Sequence, residues 1–96
     1  MENSKQSIKL SNNDNVLVLT IDLDAGDVFT YKGMDYKTIE PITLGHKIAA
    51  KNIKKGEKII KFNLAIGSAI EDIKIGEHVH LHNMKSDFIA SHNREN

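Results

Sequence analysis

A short glycine-containing motif occurs four times in this sequence, and it constrains the fold more than any other feature. In each copy an aliphatic residue precedes a glycine by three positions and a polar residue follows the glycine, at residues 23–27, 42–46, 53–57 and 73–77. Because glycine adopts the positive φ angle that tight turns require, each copy predicts a turn whose aliphatic residue enters the core. The copies are unevenly spaced, whereas a solenoid needs a fixed period. The motif therefore predicts a compact, all-β unit of short, sharply bent strands.

The segments between the first turns have the composition of strands. Residues 16–21 form a continuous aliphatic and β-branched run, which predicts a buried central strand. Residues 28–32 and 34–39 are rich in Tyr, Phe and Thr, and Lys32-Gly33 between them predicts a tight hairpin. Residues 46–50 fit either a strand or a helical turn, since periodicity does not discriminate over so few positions.

The second half and the ends of the chain complete the domain organisation. Residues 58–66 are predicted to supply most of the remaining core, with Gly67-Ser68 interrupting the run. The polar residues 1–15 are interpreted as a lead-in and residues 85–96 as a polar tail. The domain proper is therefore predicted to span residues 16–84.

Composition excludes several function classes. Thirteen basic residues balance thirteen acidic ones, and the aromatic residues are only two Tyr and three Phe, so nucleic acid is not an expected partner. The sequence has no cysteine, which restricts a metal site to imidazole and oxygen ligands. It also has no signal-peptide pattern and no apolar run of membrane-spanning length. We therefore expect a cytoplasmic protein without a membrane partner.

Residues 76–83 read Gly-Glu-His-Val-His-Leu-His-Asn and form the most distinctive stretch. As a strand, this segment would direct Val79 and Leu81 to one face and three imidazoles to the other. Same-face neighbours on a strand lie about 6.5–7 Å apart, so two imidazoles can reach one metal ion or anionic ligand. The alternative interpretation is a solvated polar face with no function.

The order of four motifs resembles a known family. These are Gly-His-Lys-Ile-Ala at residues 45–49, Ile-Lys-Lys-Gly-Glu at 53–57, Ile-Gly at 66–67 and the histidine-rich stretch at 76–83. Together they resemble the SAF domain of the altronate and galactarate dehydratases, the UxaA family. They are also similar to the small subunit of sulfolactate sulfo-lyase. The resemblance extends over about residues 16–84.

The resemblance implies a β-clip fold and elimination chemistry. The family removes water from a sugar acid of the altronate or galactarate type, or sulfite from sulfolactate, with Fe²⁺ or a similar divalent ion such as Mn²⁺ or Zn²⁺. Its large catalytic domain has no counterpart in this sequence. The expected partners are therefore a large dehydratase subunit or domain and a sugar-acid substrate, and we expect the chain to be inactive without the former.

The resemblance also implies roles for individual residues. It assigns catalytic roles to His46, His80 and His82, and substrate binding to Lys47 and Asn83. It makes His80 and His82 the implied metal ligands. For the Gly-His-Lys turn, the alternative without the resemblance is a solvated surface turn.

Two further alternatives concern the histidine-rich stretch and the class of protein. His78 is a weaker site candidate, because the resemblance does not include a histidine at this position. SAF-type domains also occur as non-catalytic binding or assembly modules, which have no need for convergent imidazoles. In either class, exposed strand edges on so small a domain make a homo-oligomer an open alternative.

Overall fold

A computed structural model describes residues 6–87 of the chain, and these residues form short antiparallel strands joined by turns. The all-β fold class predicted from the sequence is thereby confirmed. The strands of the described part are β1 (Ser7–Ile8), β2 (Val16–Leu19), β3 (Val28–Tyr31), β4 (Met34–Lys37), β5 (Lys47–Ala49), β6 (Lys58–Lys61), β7 (Leu64–Ala69), β8 (His78–Val79) and β9 (Met84–Lys85).

The strands form three small sheets, and the first sheet lies between the other two. Its strand order is β1-β2-β5-β8, while β3 and β4 form a hairpin and the third sheet has the order β6-β7-β9. Side chains on one face of the first sheet, including Leu17 and Ile48, pack against the β3-β4 hairpin through Phe29. Those on the opposite face, including Val16 and Val79, pack against the third sheet. Two small apolar clusters therefore replace a single large core.

The four glycine turns have the predicted structure. Their glycines have φ angles between 88° and 91°, a range that strongly favours glycine. The aliphatic residues that open the turns are all buried, at 1–4% exposure. They also meet in pairs as antiparallel bridges, Leu23 with Ile42 and Ile53 with Ile73. The repeated motif thus builds two matched pairs of turns that close the domain.

Two strand predictions are confirmed and a third is wrong. Residues 16–21 supply the central strand β2, and Lys32-Gly33 turns the β3-β4 hairpin. The run at 58–66 is instead divided into β6 and β7 by a turn at Phe62-Asn63, and Gly67-Ser68 lies inside β7 rather than interrupting it. The physical reason is that a Cβ at residue 67 would overlap the backbone of β9, so glycine serves close strand packing here.

The ends of the predicted domain take part in the sheets. The lead-in assigned to residues 1–15 contains β1, which pairs with β2. The tail assigned to residues 85–96 begins within β9, and residues 88–96 lie outside the described residues. Within residues 6–87, no helix has the length and apolar character needed to cross a membrane.

Candidate functional site

The turn that contains His46 departs from the other three turns of the repeated motif. In those three turns the residue after glycine is acidic, and its carboxylate accepts a hydrogen bond from the backbone N–H three residues earlier. These distances are 2.8, 2.6 and 2.9 Å for Asp27, Glu57 and Glu77. At the equivalent position His46 lies beside His78 instead. A histidine in place of the expected acid is therefore a sequence signal for the site.

Three histidines converge on one side of the first sheet. The Nδ1 atom of His46 lies 3.0 Å from Nε2 of His78, close enough for a hydrogen bond in which one ring donates. The ring centroid of His80 lies 4.9 Å from that of His46 and 5.4 Å from that of His78. One nitrogen from each ring falls within 4.8 Å of the other two. We call His46, His78 and His80 the histidine cluster.

The register between β5 and β8 explains this convergence. His78 is paired with Ile48, and Lys47 is paired with Val79. Because side chains alternate along a strand, His46 and His78 project from the same face of the sheet, whereas Lys47 belongs to the opposite face. The two residues of the predicted Gly-His-Lys element are therefore separated by the sheet. Only His46 joins the cluster.

The predicted strand through residues 78–83 is wrong beyond Val79. The chain turns at His80, and the Met84 N–H donates to the His80 carbonyl oxygen at 2.9 Å. Leu81 is 71% exposed, so it does not enter the core as the alternating pattern required. Of the two apolar residues in this stretch, only Val79 is buried, at the end of β8.

Asn83 explains why the chain turns there. Its Oδ1 accepts a hydrogen bond from the backbone N–H of His80 at 2.9 Å, and its Nδ2 donates to the carbonyl oxygen of His78 at 2.8 Å. The side chain is buried, at 3% exposure. Hydrogen bonds between a side-chain amide and nearby backbone groups compete with strand pairing, and here they close a turn instead. Asn83 thus orients two of the three clustered histidines through their backbones.

Electrostatics favour the neutral form of His78 and His80. Burial, and after it repulsion from His46, His80 and His82, lowers the pKa of His78 to about 4. The pKa of His80 is also lowered, first by burial and then by His46. Neutral imidazoles keep a lone pair available, which is the form that binds metal ions.

Lys47 is half-buried on the face of the first sheet opposite the histidine cluster. Its pKa is lowered first by burial and then by the positive charge of Lys61. Lys47 is in turn one of the charges that lower the pKa of His78 and His80. Lys47 therefore raises the positive potential near the cluster without projecting from the cluster's face.

The lowered pKa of His78 predicts a loss of stability in acid. In metal-free buffer, the unfolded chain takes up a proton at His78 near pH 6.5, whereas the folded protein does so only near pH 4. The unfolded state therefore binds more protons between these values, so this contribution is complete above pH 6.5 and is lost as the pH falls toward 4. The full effect corresponds to about 3 kcal/mol, and solvent screening of this half-exposed ring reduces it to about 1–2 kcal/mol.

Urea denaturation at pH 7.5 and pH 5 measures this difference. A His78→Gln variant is the matched control, because it keeps a polar side chain and removes the titration. We expect the free energy of unfolding of the variant to depend less on pH across this range. A native protein whose dependence equals that of the variant would contradict the prediction.

A cleft of about 220 Å³ opens beside the cluster. One wall is formed by residues at the end of the β3-β4 hairpin, Thr38 and Glu40, and the other by His78 and His82. The His82 ring lies 5.5 Å from the His78 ring and is exposed. His82 is therefore outside the histidine cluster but faces a space that a small ligand can enter.

The cluster meets the requirements of a metal site with open positions. At a metal–nitrogen distance of about 2.0–2.1 Å, two imidazole nitrogens in tetrahedral geometry lie about 3.3 Å apart. The separation between His46 and His78 is 3.0 Å, and His80 needs only a small movement to join them. Imidazole suits Fe, Zn, Cu and Ni ions. Three imidazoles fit a divalent ion and leave coordination positions for an oxygen ligand.

Comparison of the sequence with known proteins relates the chain to a family. The chain matches the altronate/galactarate dehydratase SAF domain over residues 5–87. It is 40% identical to an altronate dehydratase of Bacillus subtilis over 83 residues, which are 86% of this chain and 17% of that protein. An altronate dehydratase of Escherichia coli is 38% identical over 85% of this chain and 17% of its own length. The chain thus spans 17% of each of these two relatives.

A smaller relative has a different name. The (2R)-sulfolactate sulfo-lyase subunit alpha of Chromohalobacter salexigens is 33% identical over 76 residues. That match covers 73% of this chain and 81% of the subunit. The same kind of domain therefore occurs both within a large dehydratase and as most of a small lyase subunit.

Proposed function

Because this chain belongs to the altronate/galactarate dehydratase SAF domain family, we propose that it is the SAF part of a hydro-lyase acting on a sugar acid. It contributes imidazoles to a metal and substrate site that a larger catalytic chain or domain completes. The observation that carries this proposal is the convergence of His46, His78 and His80, from two separate turns, with nitrogens within 4.8 Å of one another.

The ligand set we propose differs from the pair implied by the sequence resemblance. His46 and His78 join His80 as ligands of a divalent ion, with Fe²⁺ as the candidate from the resemblance. His82 has no place in this set, because the nitrogens that lie within 4.8 Å of one another belong to His46, His78 and His80. We assign Asn83 a positioning role, since its amide is buried and bonded to the backbone of the turn.

The chemistry follows from the charges that an elimination creates. Removal of a proton next to a carboxylate builds negative charge on the carboxylate oxygens, and a bound divalent ion supplies Lewis acidity that stabilises it. His82 is exposed at the cleft, and in this proposal it keeps its predicted catalytic role, to accept or donate a proton. Lys47 adds positive potential that attracts the anionic acid.

A second candidate is the corresponding subunit of a sulfo-lyase. The coverage of 81% of the sulfo-lyase subunit favours it, because that relative consists mostly of this domain. Both candidates use the same site and differ in the leaving group, hydroxide or sulfite. The two candidates are distinguished by testing one preparation of this chain with its catalytic partner for turnover of altronate, galactarate and sulfolactate.

The test is a chimeric enzyme, in which residues 5–87 replace the matching segment of the Bacillus subtilis altronate dehydratase. We expect the chimera to dehydrate altronate and the 96-residue chain alone to turn over none of the three acids. The measurement is product formation with Fe²⁺, with the intact dehydratase as reference. Turnover by the chain alone would refute the need for a catalytic partner, and an inactive but folded chimera would refute the proposed role.

A further inference from the structure

An apolar groove lies on the opposite side of the first sheet from the histidine cluster. It has a volume of about 430 Å³ and is lined by Leu10, Lys61, Phe62, Leu64 and Ile66. The Phe62 and Leu64 side chains are 65% and 63% exposed. Large apolar side chains gathered in one exposed groove mark interaction sites more often than isolated ones do. We call this surface the Phe62 groove.

The backbone at the tip of the groove is held in an unusual conformation. Phe62 and Asn63 have φ angles of 54° and 63°, a region in which asparagine is common and phenylalanine is rare. Both backbone N–H groups donate to the carboxylate of Asp14, at 2.8 Å each. Asp14 itself is buried, at 4% exposure. A buried carboxylate therefore stabilises the two-residue β6-β7 hairpin turn, and this turn presents an exposed phenylalanine beside the groove.

The charge beside the groove distinguishes between possible occupants. Lys61 lines the groove, and Lys47 lies half-buried on the same side of the first sheet. Among residues 6–87 the ion pair found is Lys58 with Asp87, so neither of these two lysines has a carboxylate partner there. A second copy docked by the same groove about a two-fold axis would bring like lysines together. An occupant with apolar side chains and carboxylates relieves this repulsion.

From these features we propose that the Phe62 groove is the surface on which the large catalytic chain of the lyase docks. The inference rests on the proposed function and adds the contact surface to it. The two dehydratase relatives supply the reason for an occupant, because this domain matches only 17% of their length. The rest of a dehydratase of which this domain is 17% is large enough to dock at the groove and also to extend around the first sheet to the histidine cluster and its cleft, so docking and completion of the site are compatible.

Hydroxyl-radical footprinting tests whether the groove is covered in the assembled enzyme. The probe is the chimeric dehydratase, compared with the 96-residue chain alone. We expect oxidation of Phe62 and Leu64 to fall at least about fivefold in the chimera. Met34 is the matched control, because it is 59% exposed on the β3-β4 hairpin, and its oxidation should change less than about twofold. Equal oxidation of Phe62 in both proteins overturns the proposal.

A substitution compatible with the turn conformation distinguishes a loss of docking from a loss of folding. Asn tolerates a positive φ, so Phe62→Asn should keep or raise the melting temperature of the chain while removing the apolar anchor. In the chimera we expect this variant to restore the oxidation of Leu64 toward its level in the free chain, whereas Met34→Asn should not. Unchanged protection of Leu64 in the Phe62→Asn chimera contradicts the proposal.

Two controls separate this inference from the proposed function. Calorimetry with Zn²⁺ on the free chain should give the same affinity for the native protein and for Phe62→Asn, because the groove and the cluster lie on opposite sides of the sheet. Loss of protection together with normal Zn²⁺ binding supports docking at the groove even if the histidines have no catalytic role. A dimer of the free chain, seen by sedimentation and abolished by Phe62→Asn, would instead make a second copy the occupant and overturn the proposal.

Discussion

A His46→Ala substitution in the chimeric dehydratase is expected to lower the turnover of altronate by at least about tenfold, as loss of a metal ligand or proton-transfer group typically does. His46 makes the closest contact within the cluster, 3.0 Å to His78, and it comes from a different turn. Its removal leaves two imidazoles, one from β8 and one from the turn that follows it. The free energy of unfolding should change by less than about 1 kcal/mol, because the ring is only partly buried.

Turnover, melting temperature and Zn²⁺ affinity of the free chain are the three measurements. His80→Ala should behave like His46→Ala in all of them. His82→Ala should lower turnover but leave the Zn²⁺ affinity nearly unchanged, since His82 lies outside the ligand set we propose. Leu81→Ala is the matched control, because this exposed residue lies between the two histidines. Histidine variants with normal Zn²⁺ affinity and full turnover would show that the cluster is a solvated polar surface with no function.

The second large effect concerns stability, and it distinguishes the observed turn from a continuous strand. Ile48→Ala should destabilise the protein by about 2–5 kcal/mol, because its fully buried side chain packs between Leu17 and the neighbouring hairpin. Leu81→Ala should change the free energy of unfolding by less than about 0.5 kcal/mol, since Leu81 is 71% exposed. Urea denaturation of the two variants measures both values.

The alternating pattern of residues 78–83 makes the opposite prediction for Leu81. If the strand continued past Val79, Leu81 would be buried and its truncation would cost as much as that of Ile48. A large loss of stability in Leu81→Ala would therefore contradict the turn that the structure shows. A native-like Ile48→Ala variant would contradict the packing of the first sheet against the hairpin.

The repeated glycine motif determined much of the fold from local chemistry. A glycine with positive φ and a preceding aliphatic residue define a turn with one buried side chain, whatever the rest of the chain does. For the same reason Lys32-Gly33 located its hairpin correctly. The family was also recognisable from ordered short motifs, and the comparisons confirm it. Absence of cysteine limited any metal site to imidazole and oxygen ligands.

The local sequence pattern did not predict other elements correctly, because contacts with other parts of the chain determine them. The turn at Phe62-Asn63 contains no glycine, and Asp14, almost fifty residues earlier, provides the carboxylate that holds it. Gly67 resembled a strand breaker, yet it lies within β7 because β9 packs against it. Similarly, side-chain alternation predicted a strand to Asn83, whereas the amide of that residue bonds the backbone and closes a turn.

The candidate site was likewise determined partly by the sequence and partly by the tertiary structure. The sequence by itself determined which side chains are available, five histidines without a thiol, and that three of them lie within residues 78–82. Only the tertiary structure decided the grouping of His46 and His78 with His80, and the placement of Lys47 on the opposite face. The physical reason is register: the pairing of β5 with β8 sets which side chains share a face, and a shift of one residue would exchange His46 for Lys47.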